Sequence, residues 1–252
     1  MTLRFNSRGA THPGRVRTRN EDAYLERSDI GLWAVADGAG GHGAGDVASA
    51  AIVEALQDMP QGLSAAELLA QVRLRLDAVH ERLRAAVNPD GSPVTMASTV
   101  VAAMARGNHF ACLWAGDSRA YLCRDGEVTR LTRDHSLVQD MVDAGMIPLE
   151  DAPRHPKANV ITRAVGAADA LQLDKVAGLL EPGDTVILCS DGLHGALPSH
   201  DLAALIAKGS GPDELVAEAL RNGARDNVTA LMISVASDEA EPGAGDRTRP
   251  PG

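Results

Sequence analysis

Aspartates recur along this chain where apolar runs meet glycine-rich turns, and their residue types and spacing point to metal chemistry. Leu32-Trp33-Ala34-Val35-Ala36, long enough for one buried strand, meets Asp37 and then the turn Gly38-Ala39-Gly40-Gly41-His42-Gly43-Ala44-Gly45. Val186-Ile187-Leu188-Cys189-Ser190 meets Asp191-Gly192, Cys112-Leu113-Trp114-Ala115-Gly116 meets Asp117-Ser118, and Asp226-Asn227 opens a further apolar run. An acid where a strand stops projects from a rigid base, and adjacent glycines let an ion come close to the backbone. Taken singly, each is equally a strand-to-helix turn capped by its Asp. Several of them, far apart in sequence, are what hard divalent cations need, because magnesium and manganese take oxygen ligands and keep several waters. Asp37, Asp191 and Asp226 are the first ligand candidates, with the Gly38 carbonyl beside them. Two such ions about 3.5–4 Å apart lower the pKa of a shared water and clamp both oxygens of an in-line phosphoryl displacement. A phosphate ester brings about −1.5 to −2 charges of its own and needs a local cation, best a bidentate guanidinium. Arg17, near the acidic pair Glu21-Asp22, is the candidate.

The elements that must position these groups follow from the patterning. Residues 5–36 alternate polar and apolar positions, with turns at Gly14 and 29–31, as short strands leading to an Asp37 strand that ends on the aspartate. A helix is expected over 45–59, stopped by Pro60, and a second from Ser64, which with Glu67 has capping-box spacing. Leu68, Leu69, Val72, Leu76, Val79, Leu83 and Val87 keep one apolar face on it until Asn88-Pro89-Asp90-Gly91. From 95 to 132 turn signals at Gly107-Asn108 and Asp125-Gly126 separate three apolar runs, the pattern of an antiparallel meander. A helix over 135–144, an irregular proline-rich stretch over 148–156, strands over 159–165 and 184–189, helices over 199–208 and 212–222 and a strand over 227–235 complete the expectation. Residues 237–252, rich in Pro, Gly and charge, read as a disordered tail behind one catalytic domain over 1–236. Helix pairs among hairpin-linked strands give the expected class: α+β, an α-β-β-α sandwich of two antiparallel sheets flanked by helices.

Composition limits the alternatives. At 252 residues and 44% hydrophobic content the chain can build one large core. A formal charge of −10 argues against nucleic acid or an anionic membrane as partner. Cys112, Cys123 and Cys189 sit inside apolar runs without a C-x-x-C pair and read as buried reduced thiols. No leader-like or membrane-spanning apolar stretch stands out, so a cytoplasmic, soluble monomer is expected.

The ordered motifs resemble a known family. Val16-Arg17-Thr18-Arg19-Asn20-Glu21-Asp22, Asp37-Gly38-Ala39-Gly40-Gly41-His42, Gly116-Asp117-Ser118-Arg119, Asp134-His135-Ser136, Ser190-Asp191-Gly192 and Asp226-Asn227-Val228-Thr229 are similar, in order, to those of the metal-dependent protein phosphatases (PPM or protein phosphatase 2C), bacterial branch. The likeness runs over residues 5–235, and only Met96-Ala97-Ser98-Thr99 matches its counterpart, a Gly-Thr-Thr run, approximately. It implies two tightly bound Mn2+ or Mg2+ ions with a weaker third, hydrolysing phosphoserine and phosphothreonine without a phosphoenzyme. By the same likeness Asp37 bridges both metals, Gly38 offers its carbonyl, Asp191 and Asp226 bind one metal, and Asp117 joins Asp191 at the third. Glu21 and Asp22 act through water, Arg17 holds the phosphate, and 145–165 forms a flap beside the site. Implied partners are phosphorylated proteins and a cognate Ser/Thr kinase. Some relatives carry a histidine directly after the Asp-Gly; here that position is Ala39, which leaves His42 or water as the proton donor. His135 is expected to cap a helix, His155 to face substrate or solvent, and His194 to support a ligand or to be incidental. A hydrolase of small phosphate esters, and a silent phosphatase-like regulatory module, are the alternative readings.

Overall fold

The computed structural model describes residues 3–40, 44–87 and 94–238. Two antiparallel sheets pack face to face with helices outside, the expected class. One sheet has the order β1 (Leu3–His12), β11 (Val228–Ser237), β10 (Thr185–Cys189), β7 (Arg119–Arg124), β8 (Glu127–Arg130). The other has β2 (Asp22–Arg27), β3 (Leu32–Gly40), β5 (Val100–Arg106), β6 (His109–Ala115), β9 (Asp174–Leu179), with β4 (Met96–Ser98) paired to the end of β3.

Three apolar layers explain the patterning. Trp33, Val35, Val101, Val186, Leu188, Leu231 and Ile233 fill the space between the sheets. Alternate positions of β3, Leu32, Ala34 and Ala36, face α1 (Ala44–Gln57) and α2 (Ala65–Arg84), where Ile52, Leu56, Leu68, Val72 and Leu76 cover them. On the opposite side Ile187 and Cys189 meet α4 (Asp191–His194), α5 (Ser199–Ala207) and α6 (Pro212–Arg221) through Leu193, Leu202 and Leu215. A strand buried on both faces reads as an unbroken apolar run, which is why β3 and β10 stand out in the sequence. The Ser64–Glu67 capping box starts α2 as expected. The three cysteines are buried and free, and burial pushes the Cys112 and Cys189 thiols up to about 12.

Several expectations are corrected. β3 does not stop at Asp37; it continues to Gly40, changing neighbour so that Gly38, Ala39 and Gly40 pair with β4. The meander is split between the sheets: β5 and β6 form a hairpin, but β7 and β8 lie in the other sheet. The cause is Gly116, whose φ of +108° turns the chain out of β6, and where a Cβ would stand 2.6 Å from the Thr99 side chain. No strand forms over 159–165; only the bridges Ser98–Val165 and Ser136–Ile161 hold it. The half-buried edge strand β9 falls where none was expected. α2 ends at Arg84, and Val87 beyond it is 63% exposed instead of extending the apolar face. Ser136, not His135, caps α3 (Leu137–Asp143). Within the proline-rich stretch Leu149–Arg154 is a 3-10 helix. β11 takes in Ser237, the first residue of the expected tail; His42, Asn88 to Gly91 and 239–252 lie outside the described residues.

Candidate active site

The acids arrive from separate elements. Asp22 and Asp37 stand directly opposite one another on β2 and β3. Asp191 opens α4 just past β10, Asp226 lies two residues before β11, and Asp117 lies in the turn between β6 and β7. The Asp37 backbone is clamped: its N–H donates to Thr99 Oγ1 (3.1 Å), and its carbonyl accepts from the Thr99 N–H (2.8 Å) and Ser98 Oγ (3.0 Å). Ser98 and Thr99 are the last two residues of the approximate motif match, and their work is to fix this strand. Gly38 packs so closely on the start of α1 that a Cβ would sit 1.9 Å from the Gly45 carbonyl oxygen.

Like charges directly opposite on neighbouring strands repel, and burial raises the cost. Burial, then the charges of Asp22, Asp191, Asp117 and Asp226, pushes the Asp37 carboxyl well above its ordinary range. Burial and the neighbouring acids raise Asp191 to about 6 and Asp117 to about 7. Asp22 is pushed up to about 6 by burial, although Oδ2 accepts from Ser190 Oγ (2.7 Å) and Thr229 Oγ1 (2.6 Å). Asp37 is within hydrogen-bonding reach of both Asp22 and Asp191. Asp22 Oδ1 and Asp191 Oδ1 are buried without any partner.

Asp226 differs. It takes the Arg17 guanidinium bidentately, Nε to Oδ1 at 2.9 Å and Nη2 to Oδ2 at 2.8 Å. The residue expected to hold phosphate and one expected to hold metal are therefore paired with each other at the rim. Both line a cavity of about 610 Å³ together with Val16, Asn159 and Asp191.

The family model for protein phosphatase 2C matches residues 8–212. The chain belongs to this family. It is 33% identical over 238 residues to the serine/threonine protein phosphatase PstP of Mycobacterium tuberculosis, covering 93% of this chain and 45% of PstP, so it spans less than half of that relative. The structure of PppA, a key regulatory component of T6SS in Pseudomonas aeruginosa, superposes with a TM-score of 0.83 at 42% identity, covering 92% of this chain and 97% of the other. The catalytic domain of PstP in complex with two manganese ions superposes with a TM-score of 0.80 at 33% identity, over 94% and 100%.

Phosphatase 2C proteins are metal-dependent, and the donor set here fits that chemistry. Burial raises the pKa of all four carboxyls, neighbouring acids add to the rise, and one oxygen each of Asp22 and Asp191 is buried without a partner. Unpaired buried acid oxygens are costly unless a cation or proton meets them. Among the described residues no group of three His, Cys, Asp or Glu side chains already stands in metal-holding geometry. Asp226 is turned to Arg17, and Asp37 lies within hydrogen-bonding reach of Asp22 and Asp191.

The histidines divide by environment. His194 Nε2 lies 3.0 Å from the Asp117 carbonyl, an acceptor only, so this nitrogen carries the proton. Burial, then the Arg119 charge, pushes His194 down to about 3, and it stays neutral. His135 is buried, stacked on Trp114 at 6.0 Å, and accepts from the Gly116 N–H at Nδ1 (3.2 Å). His155 accepts from the Lys157 N–H and serves its own turn. Sequence reasoning missed Asn227, whose side chain accepts from the Glu21 N–H (2.8 Å) and donates to the Pro13 (3.0 Å) and Arg19 (2.9 Å) carbonyls. It stitches the Arg17 loop to β11. It also missed the buried acid Asp134, gripped by Arg119 (Nη2, 2.7 Å) and Arg130 (Nη2, 2.5 Å) beneath Asp117. For Asn227 the only signal was adjacency to Asp226.

Proposed function

We propose that this chain is a metal-dependent serine/threonine protein phosphatase that hydrolyses phosphoserine and phosphothreonine by direct attack of water, opposing a Ser/Thr protein kinase. One observation carries the reading: Asp22, Asp37, Asp117 and Asp191 crowd together with two unpaired oxygens beside the rim pair Arg17–Asp226, at an open cleft. The manganese-bearing PstP neighbour supports two Mn2+ or Mg2+ ions, held by Asp37, the Gly38 carbonyl, Asp191 and Asp226, with Asp22 acting through water. Asp117, beside Asp191, is the residue for a weaker third ion. When bound, such ions supply Lewis acidity, lowering the pKa of water and offsetting the charge of the phosphoryl group.

The chain's own groups do the rest. Arg17, on an exposed rim, has the fork geometry to grip two phosphate oxygens once it leaves Asp226. Ser190 and Thr229 hold one oxygen of Asp22, and Thr99 holds the strand of Asp37, so the carboxylates meet the reacting centre preorganised. His194 is not the acid for the leaving oxygen, because its proton is committed to the Asp117 carbonyl. His42 and water stay as the candidate donors.

Phosphorylated proteins are the substrates named for the relatives, and the buried free thiols suit a reducing cytoplasm. No described helix is long and apolar enough to cross a membrane. We read the chain through β11, which ends at Ser237, as one catalytic domain acting as a monomer, with 145–165 as its flap. The test is hydrolysis of a phosphothreonine peptide in manganese, abolished by chelator and by Asp37→Asn or Asp191→Asn. Turnover in excess chelator, or metal binding without hydrolysis of any phosphopeptide, overturns the reading. A higher kcat/KM on small phosphate esters than on phosphopeptides would move the substrate class.

A further inference from the structure

A second cavity opens on the other side of Asp191. It measures about 410 Å³ and lies between α4 and the segment 145–165. Val138, Leu149, Ala152, Pro153 and Pro198 line it with aliphatic surface, and Asp117 and Asp191 line it with acid. It shares Asn159, Asp191 and Gly195 with the cavity of Arg17 and Asp226, so the two form one continuous cleft. Arg119 and Arg130 also reach it, but Asp134 holds both guanidiniums, and the His194 N–H is held by the Asp117 carbonyl. The two guanidiniums, Asp134 and the His194 N–H are thus spent on protein partners, and the wall formed by Val138, Leu149, Ala152, Pro153 and Pro198 offers a visitor aliphatic contact.

The exposed apolar side chains add a second, independent sign. Leu149, 63% exposed, stands in this wall, and Val16, 56% exposed, lines the Arg17 end of the same cleft. Met146 and Val160, on the same 145–165 segment, are exposed as well. Large apolar groups left in water around one cleft mark a surface that another molecule covers.

We propose that this cavity is a subsite for a bulky aliphatic side chain flanking the phosphorylated residue, so that the protein selects phosphoserine and phosphothreonine segments with Leu, Ile, Val or Met beside the phosphate. The inference rests on the phosphatase reading and deepens it. An extended peptide turns successive side chains to opposite sides. With the phosphoryl group at Arg17 and Asp191, a neighbouring side chain is carried along the shared floor to Leu149. A glutamate there gains no aliphatic contact from Val138, Leu149, Ala152, Pro153 or Pro198.

The test is kcat/KM in manganese for phosphothreonine peptides of otherwise alanine sequence, with Leu, Lys or Glu at each of the two positions before and after the phosphoresidue. p-Nitrophenyl phosphate is run alongside. At one of the four positions Leu is expected to exceed Glu by about tenfold, the scale of one apolar contact in a recognition pocket. Leu149→Glu, a change at an exposed side chain, is expected to invert that order in favour of Lys. Equal kcat/KM for all peptides, or a Leu preference unchanged by Leu149→Glu, overturns the subsite while leaving the phosphatase reading intact. Absence of hydrolysis of both peptides and p-nitrophenyl phosphate overturns the phosphatase reading, and the subsite with it.

Discussion

Replacing Asp117 by Asn tests whether the buried acids are held at a cost to the fold. Burial, then Asp191 and Asp134, lifts the Asp117 carboxyl from 3.8 to about 7. A raised acid binds its proton more tightly folded than unfolded. Below about pH 4 both states are protonated and the group contributes nothing. As pH rises from 4 to 7 the unfolded chain releases its proton first, so stability falls and levels off above 7. About three pH units at ~1.4 kcal/mol each give an upper bound of ~4 kcal/mol, and relaxation brings the expectation to about 2–4 kcal/mol. Asn keeps the shape and removes the charge. In chelator at pH 8, Asp117→Asn is therefore expected to melt higher by roughly 5–10 °C, with the gain fading towards pH 4. Urea or thermal unfolding at both pH values reads this directly. In excess manganese the gain shrinks while phosphopeptide hydrolysis falls, since the same carboxylate is then in use. A metal-free variant no more stable than the parent at pH 8, or an equal gain at pH 4, would refute the reasoning.

Three further outcomes are expected. Arg17→Ala leaves stability within about 1 kcal/mol, because the Arg17–Asp226 pair is exposed, but lowers kcat/KM on phosphopeptides by about a hundredfold; a variant with unimpaired kcat/KM removes Arg17 from phosphate binding. Asn227→Ala breaks three hydrogen bonds that anchor the loop between Pro13 and Glu21, costing about 2–3 kcal/mol in urea unfolding and speeding hydrogen exchange at Glu21; unchanged exchange would refute the stitch. Ser64→Ala removes the α2 cap at about 1 kcal/mol without touching kcat/KM, which denaturation and a peptide assay together check.

The parts legible in the sequence were those with strong local grammar. The doubly buried runs of β3 and β10, the capping box at Ser64, the buried cysteines and the apolar stripe on α2 from Leu68 to Leu83 all appear, although β3 runs on to Gly40 and the stripe stops short of Val87. Asp37, Asp117 and Asp191 were legible as acids at strand junctions and Asp22 as part of the acidic pair near Arg17, and Asp37 does feel the charges of the other three. What failed was long-range. Nothing local says that Gly116 sends β7 to the other sheet, since that choice is made by packing against Thr99. β9 escaped because an edge strand with one half-buried face and a Lys175 and Gly178 in it carries little pattern. The apolar residues Val160, Ile161 and Val165 suggested a strand, but no neighbouring strand offers them a ladder. The Arg17–Asp226 pairing was hidden for a similar reason: the residues stand 209 positions apart and meet only once β1 and β11 align.

That alignment has a temporal consequence. β1 and β11, the first and last strands described, pair over ten residues from Leu3–Ser237 to His12–Val228, and β11 then separates β1 from β10 in the middle of its sheet. A growing chain on the ribosome therefore holds β1 without its sheet neighbour until β11 emerges. Asp226, Asn227 and Thr229 arrive with that strand, so a partly made chain has neither the anchor of the Arg17 loop nor the second hydroxyl on Asp22. The residues that anchor the Arg17 loop and complete the hold on Asp22 are therefore set in place only when β11 pairs with β1.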